Sequence, residues 1–504
     1  MINRLARVPA WIGVALSVAL LAAHLAYYAT IKVDDAYISF RYARNFARGD
    51  GLRFNPGEPP VEGYSNFLWV VTLAGAARLG SDIPTSARVL GAALSIATLI
   101  GMAVALHRSG AGKAIIWMAC AWLAASGSFA MWAISGLESM LLAALLVLAL
   151  ILLDREERTG HGIASGFVLA LVALARAEGA IFFAAAFAVR AIAHVRGQSA
   201  RTIREDVKWA LAFAVPFGAF LLWRVAYYGD WLPNTVYAKS GGGYLYHILR
   251  GVYYAFQFLA SGGALLVLLG CAAALLRLDR PIVRHALAGS ILYVALIAFA
   301  GGDWMPMFRF FAPILAWLCL LAAIGLAALS ERVQMHASAF TTTTALLVFG
   351  LFLGGSIQAQ DIDRTTRNFS DPTSGGPAMA AWLRANSKPG DSIALVDAGM
   401  LAYETELRVI DMIGLNDAHI AHLAPRFLRG LAPGNGFGKW DVDYVLAQKP
   451  TFIQVHLSRE QWAKRDLHTD WIGTDALIND PRFLADYTYV DDPSVGGIFK
   501  RIAP

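Results

Sequence analysis

Charge is scarce in this chain. Of its 504 residues only 15% are Asp, Glu, Lys or Arg, and 57% are hydrophobic, whereas soluble domains carry about 25% charged residues. A chain so poor in charge cannot cover the surface of an ordinary water-soluble globule. Cysteine is nearly absent: Cys120, Cys271 and Cys319 all sit inside apolar runs, which argues against a disulfide framework and against a thiolate metal site. There is no G-x-x-x-x-G-K-[ST] loop and no strand-linked G-x-G-x-x-G, so a nucleotide-driven pump and a nicotinamide enzyme are both unsupported. H-E-x-x-H is also missing, and His107, His161, His194, His285 and His336 fall in loops or at their edges. The net charge of +6 calls for no nucleic acid, because basic loops between apolar runs account for it.

What the chain does have is a series of apolar runs, each able to cross about 30 Å of hydrocarbon. Candidate spans are 11–30, 85–106, 114–130, 137–153, 162–175, 179–194, 209–227, 252–276, 285–300, 310–329 and 338–357. The first follows Arg4 and Arg7 and ends in no small-residue cleavage site, so it reads as a retained helix rather than a signal peptide. The segment 66–79, NFLWVVTLAGAARL, is short for a crossing and is expected to be re-entrant or interfacial. With that segment left out, parity puts Arg190, Arg196, Arg201, Arg204 and Lys208 on the same side as the N-terminus. This is the positive-inside pattern. The expectation is an α-helical polytopic membrane protein of about eleven spans in the cytoplasmic membrane, N-terminus inside and C-terminus outside.

After about residue 358 the composition turns polar. Short apolar runs at 392–396, 442–446, 451–455 and 497–502 predict strands, and 378–386 and 458–464 predict helices. The organisation is therefore a transmembrane domain, 1–358, with a first exterior loop at 31–84, and a small extracytoplasmic α/β domain, 359–504. Within the latter, DMIGLNDAHIAH (Asp411, Asn416, Asp417, His419, His422) matches no standard metal spacing and reads as a solvated loop.

The first exterior loop breaks the charge rule. Directly after the first apolar run comes VDDAYISFRYARN, placing Asp34 and Asp35 where a helix would start, so that their charge suits its dipole. Ile38, Tyr42 and Phe46 then recur every fourth residue while Arg41, Arg44 and Arg48 line another face, as in a helix lying among headgroups. Two acids and three arginines at that level suit an anionic, lipid-linked substrate; the plainer reading is helix-capping acids and arginines touching phospholipid. Further unusual polar residues fall on the same predicted side: Glu138 in SGLES, Arg176 and Glu178 in ARAEG, Asn234 and Lys239 in PNTVYAK, and Asp303, Trp304 and Arg309 in GGDWMPMFRFF. Charge at membrane depth needs a partner or a cavity. Each of these has a bland alternative: Arg176 can pair with Glu178, Lys239 and Arg309 can snorkel, Trp231 and Trp304 can anchor the interface, and Glu138 can cap a helix.

Taken together, DDAYISFRYARNFARGDGLRFNPGEPPVEGYSNFLW, SGLES, ARAEG, PNTVYAK, GGDWMPMFRFFAPIL and DMIGLND resemble the membrane glycosyltransferases of the GT-C superfamily, and in particular the terminal β-(1→2) arabinofuranosyltransferase family of mycobacterial cell walls. The resemblance implies transfer of a sugar, arabinofuranose, from a polyprenyl-phosphate carrier to a cell-envelope glycan at a bacterial inner membrane. It places the catalytic acid at Asp34 or Asp35; the one-sided clustering of the polar residues suggests a single outward-opening substrate cavity with Tyr37, Arg44, Glu138, Arg176, Glu178, Asn234, Asp303 and Trp304. It also makes the chain shorter than the mycobacterial enzyme, chiefly in the outer domain, which bears on the acceptor more than on the donor.

The residues suit that chemistry. A carboxylate can accept the proton of an attacking sugar hydroxyl, and Arg41, Lys239 or Arg309 can offset charge on the departing phosphate. Alternatively Asp34 and Asp35 hold a divalent cation (magnesium, manganese or calcium) that does so; the sequence leaves base and metal ligand open. Other classes weighed are a glycan ligase using a lipid-diphosphate donor and a lipid-carrier transporter or flippase. A transporter would place its polar groups near mid-membrane, whereas here they crowd one surface.

Overall fold

The computed structural model describes residues 9–240, 244–333, 342, 344–350, 353, 376–426, 438–469 and 471–502. The chain divides into two compact units. One comprises Met1–Ile31, Ala87–Leu222 and Tyr244–Asp361; the other comprises Lys32–Ser86, Trp223–Gly243 and Ile362–Pro504. The division differs from a linear split near residue 358, because the first loop and the segment after Leu222 fold with the C-terminal region.

The first unit is helical. Among the described residues five helices are long and apolar enough to cross a membrane, and seven if each of two bent pairs counts as one span. This is a multi-pass membrane protein. The expected tally of eleven also included 338–357, much of which lies outside the described residues, and segments that fold as short helices such as Ala164–Ala175. One bend has a plain cause. Helix Lys113–Ala125 stops at Ser126, whose backbone is extended and whose side chain caps the next helix, Gly127–Ile134, through the Phe129 amide; the two axes differ by 60°. Close helix packing uses small residues: a Cβ at Gly325 would overlap the backbone of Leu269. The segment 66–79 forms a helix of only 12 residues, Phe67–Arg78.

The second unit opens with helix Asp34–Arg48, which carries both acids in its first turn and ends at Gly49 in the left-handed region (φ 97°). It does not present a wide amphipathic face to its surroundings. Residues from Ala36 to Ala43, and Asn45, are all buried, so protein covers the face expected to meet headgroups.

The C-terminal region builds a five-stranded sheet from β1 (Ser392–Leu395), β2 (Arg408–Asp411), β3 (Phe452–Gln454), β4 (Tyr487–Tyr489) and β5 (Ile498–Arg501), in the order β2-β1-β3-β5-β4. β1 runs parallel to β2 (Ile393 opposite Val409) and to β3 (Ala394 opposite Ile453), whereas β5 is antiparallel to both β3 and β4. Ala394, Ile410, Ile453, Phe483 and Phe499 anchor its core. Three of the four predicted strand segments are strands. The fourth, 442–446, is part of a helix, Val442–Ala447, because Asp441 caps it by accepting the Tyr444 amide at 2.9 Å. An apolar run of this length does not distinguish strand from helix; the cap does.

Candidate active site

In an open α/β sheet, ligands gather beyond the carboxyl ends of the parallel strands. Here those ends carry Asp397 and Gly399 after β1, Asp411 at the end of β2, and His456 after β3. Asp34 belongs to the same unit and reaches this edge from the start of its helix. Its carboxylate accepts the Met400 amide at 2.7 Å and the Gly399 amide as well. The approach is close enough that a Cβ at Gly399 would overlap the Asp34 carboxylate, so the position requires glycine. His456 Nε2 lies 3.0 Å from Asp397 Oδ2.

The electrostatics single out Asp34. Burial is the largest influence on it, followed by the negative charge of Asp397 and then of Asp35; the two backbone amides only partly offset these, and its pKa is pushed up to about 8. A carboxyl held in this way is poised near neutrality, which is where a general base works well. Asp411, by contrast, is saturated. Its oxygens accept the amides of Ile413, Gly414 and Asn416 and the Asn416 side chain at 2.8–3.1 Å. DMIGLND is therefore a buried turn and not the solvated loop its polarity suggests: Asp411 is 1% exposed.

Arg41 is placed differently from the role given to it above. It is 1% exposed, and its guanidinium donates to the carbonyls of Phe54 (2.7 Å), Leu407 (2.8 Å) and Ala402 and to Asn55 Oδ1 (3.1 Å), with Phe54 beneath it. Four of its five N–H groups are committed to neutral acceptors, so Arg41 pins the first loop to the sheet region instead of facing a phosphate. Asn234 has a similar duty, donating to the carbonyls of Gly414 and Leu415 at 2.8 and 3.0 Å. Arg44 lies over the Tyr403 ring and pairs with Glu406 at 3.2 Å, and Tyr37 meets Tyr403 edge-on. Lys239, at the end of the short helix Asn234–Lys239, is exposed. Glu62, raised to about 7 chiefly by burial, pairs with Arg224 at 2.9 Å.

The remaining candidates meet in the helical unit. Arg176 bridges Glu138 (2.5 Å) and Glu178. Arg309 pairs with Asp303 at 2.6 Å, and both guanidiniums lie over the Phe310 ring. Three separated motifs thus form one charged cluster. Trp304 stands apart, half-exposed. The chain feeding the cluster is strained: Met307 and Phe308 are both left-handed (φ 58° and 51°), and Ser128 and Trp132 hold them there by donating to the Met307 carbonyl.

Sequence reasoning missed Asp397, Gly399 and His456. The available signal was position, since Asp397 and His456 directly follow strand-like apolar runs and Gly399 lies two residues beyond Asp397. Among the described residues no group of three or more His, Cys, Asp or Glu is disposed to hold a metal ion.

Residues 361–493 match a family model described as a domain of unknown function, DUF8728. No curated protein matches. Among solved structures, the chain is similar to ArnT from Cupriavidus metallidurans bound to undecaprenyl phosphate, with 11% identity, TM-score 0.59 and 98% of each chain covered. It is also similar to the same protein in the apo state, with 13% identity, TM-score 0.52, and 80% of this chain and 85% of that one covered. The likeness runs over nearly the full length of both chains and shows that this chain shares the fold of that protein.

Proposed function

We propose that the protein transfers a sugar from a polyprenyl-phosphate carrier to a cell-envelope glycan on the outer face of a bacterial inner membrane, with Asp34 as the base. The observation that carries this reading is the Asp34 carboxylate, positioned by two backbone amides and raised to about 8 at the strand-end edge of the sheet. The fold shared with a protein crystallised with undecaprenyl phosphate supports the donor class. In the step itself, the acceptor hydroxyl attacks the anomeric carbon and passes its proton to Asp34. The bond between that carbon and the phosphate oxygen breaks, and polyprenyl phosphate leaves with the electron pair. Lys239 is assigned to the donor phosphate; Arg309, held by Asp303, is tested separately by Arg309→Ala. A divalent cation would be held by Asp34 and Asp35 and would supply charge compensation for the leaving phosphate.

The sugar is assigned as arabinofuranose on the motif resemblance alone. The N-terminus is placed inside the cell and the C-terminal region outside, on the distribution of basic loops. Purified protein in detergent should transfer sugar from polyprenyl-phosphate arabinofuranose with no nucleotide sugar present. Transfer from a nucleotide sugar without the lipid would defeat the reading. Acceptance of only a lipid-diphosphate glycan would make the protein a ligase, and lipid movement without transfer would make it a flippase.

A further inference from the structure

Within the helical unit, helix Ser139–Thr159 runs from the Glu138 cluster to a second charged cluster around Glu156 and Glu157. At 1.5 Å per residue these ends are about 28 Å apart, close to the thickness of a bilayer core, so the two clusters lie at opposite membrane surfaces. At the Glu157 end is a cavity of about 570 Å³, within the range of small-molecule sites. Arg190, Arg196, Arg201 and Arg284 line it, together with only two acids, Glu157 and Asp279.

The cavity wall is built, not merely basic. Arg190 is 3% exposed, pairs with Glu156 at 2.9 Å and lies over Trp209. Arg201 is fixed by Asp206 at 2.6 Å and by the Gly162 carbonyl. Arg284 pairs with Glu157 at 2.8 Å, and His285 binds the other oxygen of that carboxylate. Glu156 and Asp206 therefore orient Arg190 and Arg201 from outside the cavity lining, and Glu157 fixes Arg284 from within it. Two donors are left over: among the described residues, neither the buried Nε–H of Arg190 nor that of Arg284 has an acceptor. Buried donors of this kind call for an oxygen. Pro281, which opens the 20-residue helix Pro281–Ala300, also lines the cavity, so a positive helix end adds to the field there.

We propose that this cavity binds the phosphate of an anionic phospholipid headgroup, drawn from the leaflet at the Glu157 end of the helix. Basic pockets between helices at that level recognise such headgroups. The shared chemistry, a phosphate oxyanion among arginines, would also admit free phosphate, so the test separates the two sources. The site is independent of the transfer reaction proposed above.

Full-length protein is reconstituted in vesicles of phosphatidylcholine alone or of equal parts phosphatidylcholine and phosphatidylglycerol, then extracted, and retained lipid is read by native mass spectrometry. The expected result is preferential retention of phosphatidylglycerol, reduced about fivefold in Arg196→Ala. Arg196 is exposed and, among the described residues, makes no ion pair that holds the wall, so folding should survive; a second variant, Gln198→Glu, adds an acid at the cavity and should reduce retention without removing any arginine. In a separate arm, inorganic phosphate added at a concentration equal to that of the lipid should not displace phosphatidylglycerol. Equal retention by wild type and both variants would overturn the proposal, as would equal retention of phosphatidylcholine or displacement by inorganic phosphate alone.

Discussion

The carboxyl ends of β1 and β2 each meet an aspartate, half-buried Asp34 at the first and buried Asp411 at the second, and the two are treated in opposite ways. At β2, Asp411 accepts four N–H groups, and its pKa rises only to about 6 despite 1% exposure. At β1, Asp34 accepts two amides and has the charges of Asp397 and Asp35 nearby, and it rises to about 8. Burial pushes both upward; the number of donors and the sign of the neighbours separate them. A saturated carboxylate holds a turn together. One left underdonated among other acids is an arrangement that costs stability and is suited to moving protons.

The most severe way to break this contrast is to make the same change at both ends. Asp34→Asn should lower turnover by about 10²–10⁴-fold while leaving expression and the unfolding midpoint near those of the wild type. Full activity of Asp34→Asn at equal protein levels would end its assignment as the base.

Arg41→Ala tests the neighbouring claim that this arginine is a staple. It strips donors from three carbonyls and from Asn55, each costing about 1–3 kcal/mol when left buried and unpaired. Thermal unfolding should therefore occur well below wild type, and Arg41→Lys should rescue little because one ammonium cannot reach four separated acceptors. A variant of normal stability whose KM for the lipid donor alone rises would return Arg41 to the phosphate.

Arg41 also shows what the sequence could and could not convey. The recurrence of Ile38, Tyr42 and Phe46 at every fourth residue marked the helix that the structure gives as Asp34–Arg48, and apolar membrane-spanning helices and three strands were readable from local pattern. Arg41 looked like an outward cation because pattern reports only a residue's own helix. Its acceptors at 402 and 407 lie some 360 positions away. His456 and Asp397 were hidden for the same reason, since only the parallel pairing of β1 with β3 makes them neighbours. Glu138, Arg176, Glu178, Asp303 and Arg309 were found because charge inside apolar runs is conspicuous without any long-range knowledge.

Asp411→Asn should act on stability and not on turnover. The new amide turns an NH₂ toward N–H donors that had faced an oxygen, costing about 1–3 kcal/mol. The pH dependence has a definite sign. With its folded pKa raised above the ordinary carboxyl value to about 6, Asp411 contributes most stability at acid pH, and that contribution is lost as pH rises through about 6. Chemical denaturation of the variant across this window should show a flatter pH slope than wild type. An unchanged slope with reduced turnover would show that the β2 end is functional after all.

The finest test moves the Asp34 titration without touching Asp34. As a base it must be deprotonated, so kcat/KM should rise about tenfold per pH unit and level off near pH 8. Asp397 is the largest charge holding that value up, second only to burial. Asp397→Asn removes the repulsion, makes the Asp34 proton easier to lose, and should carry the inflection toward acid pH by about one unit, with the plateau rate little changed. The profile also separates the two roles open to the carboxylate. A bound divalent cation would keep Asp34 ionised throughout, so its profile would lack this inflection, and Asp397→Asn would shift nothing. An inflection that moves with residue 397 assigns the proton to Asp34, whereas a flat profile that responds to the identity of added magnesium or manganese assigns the cation.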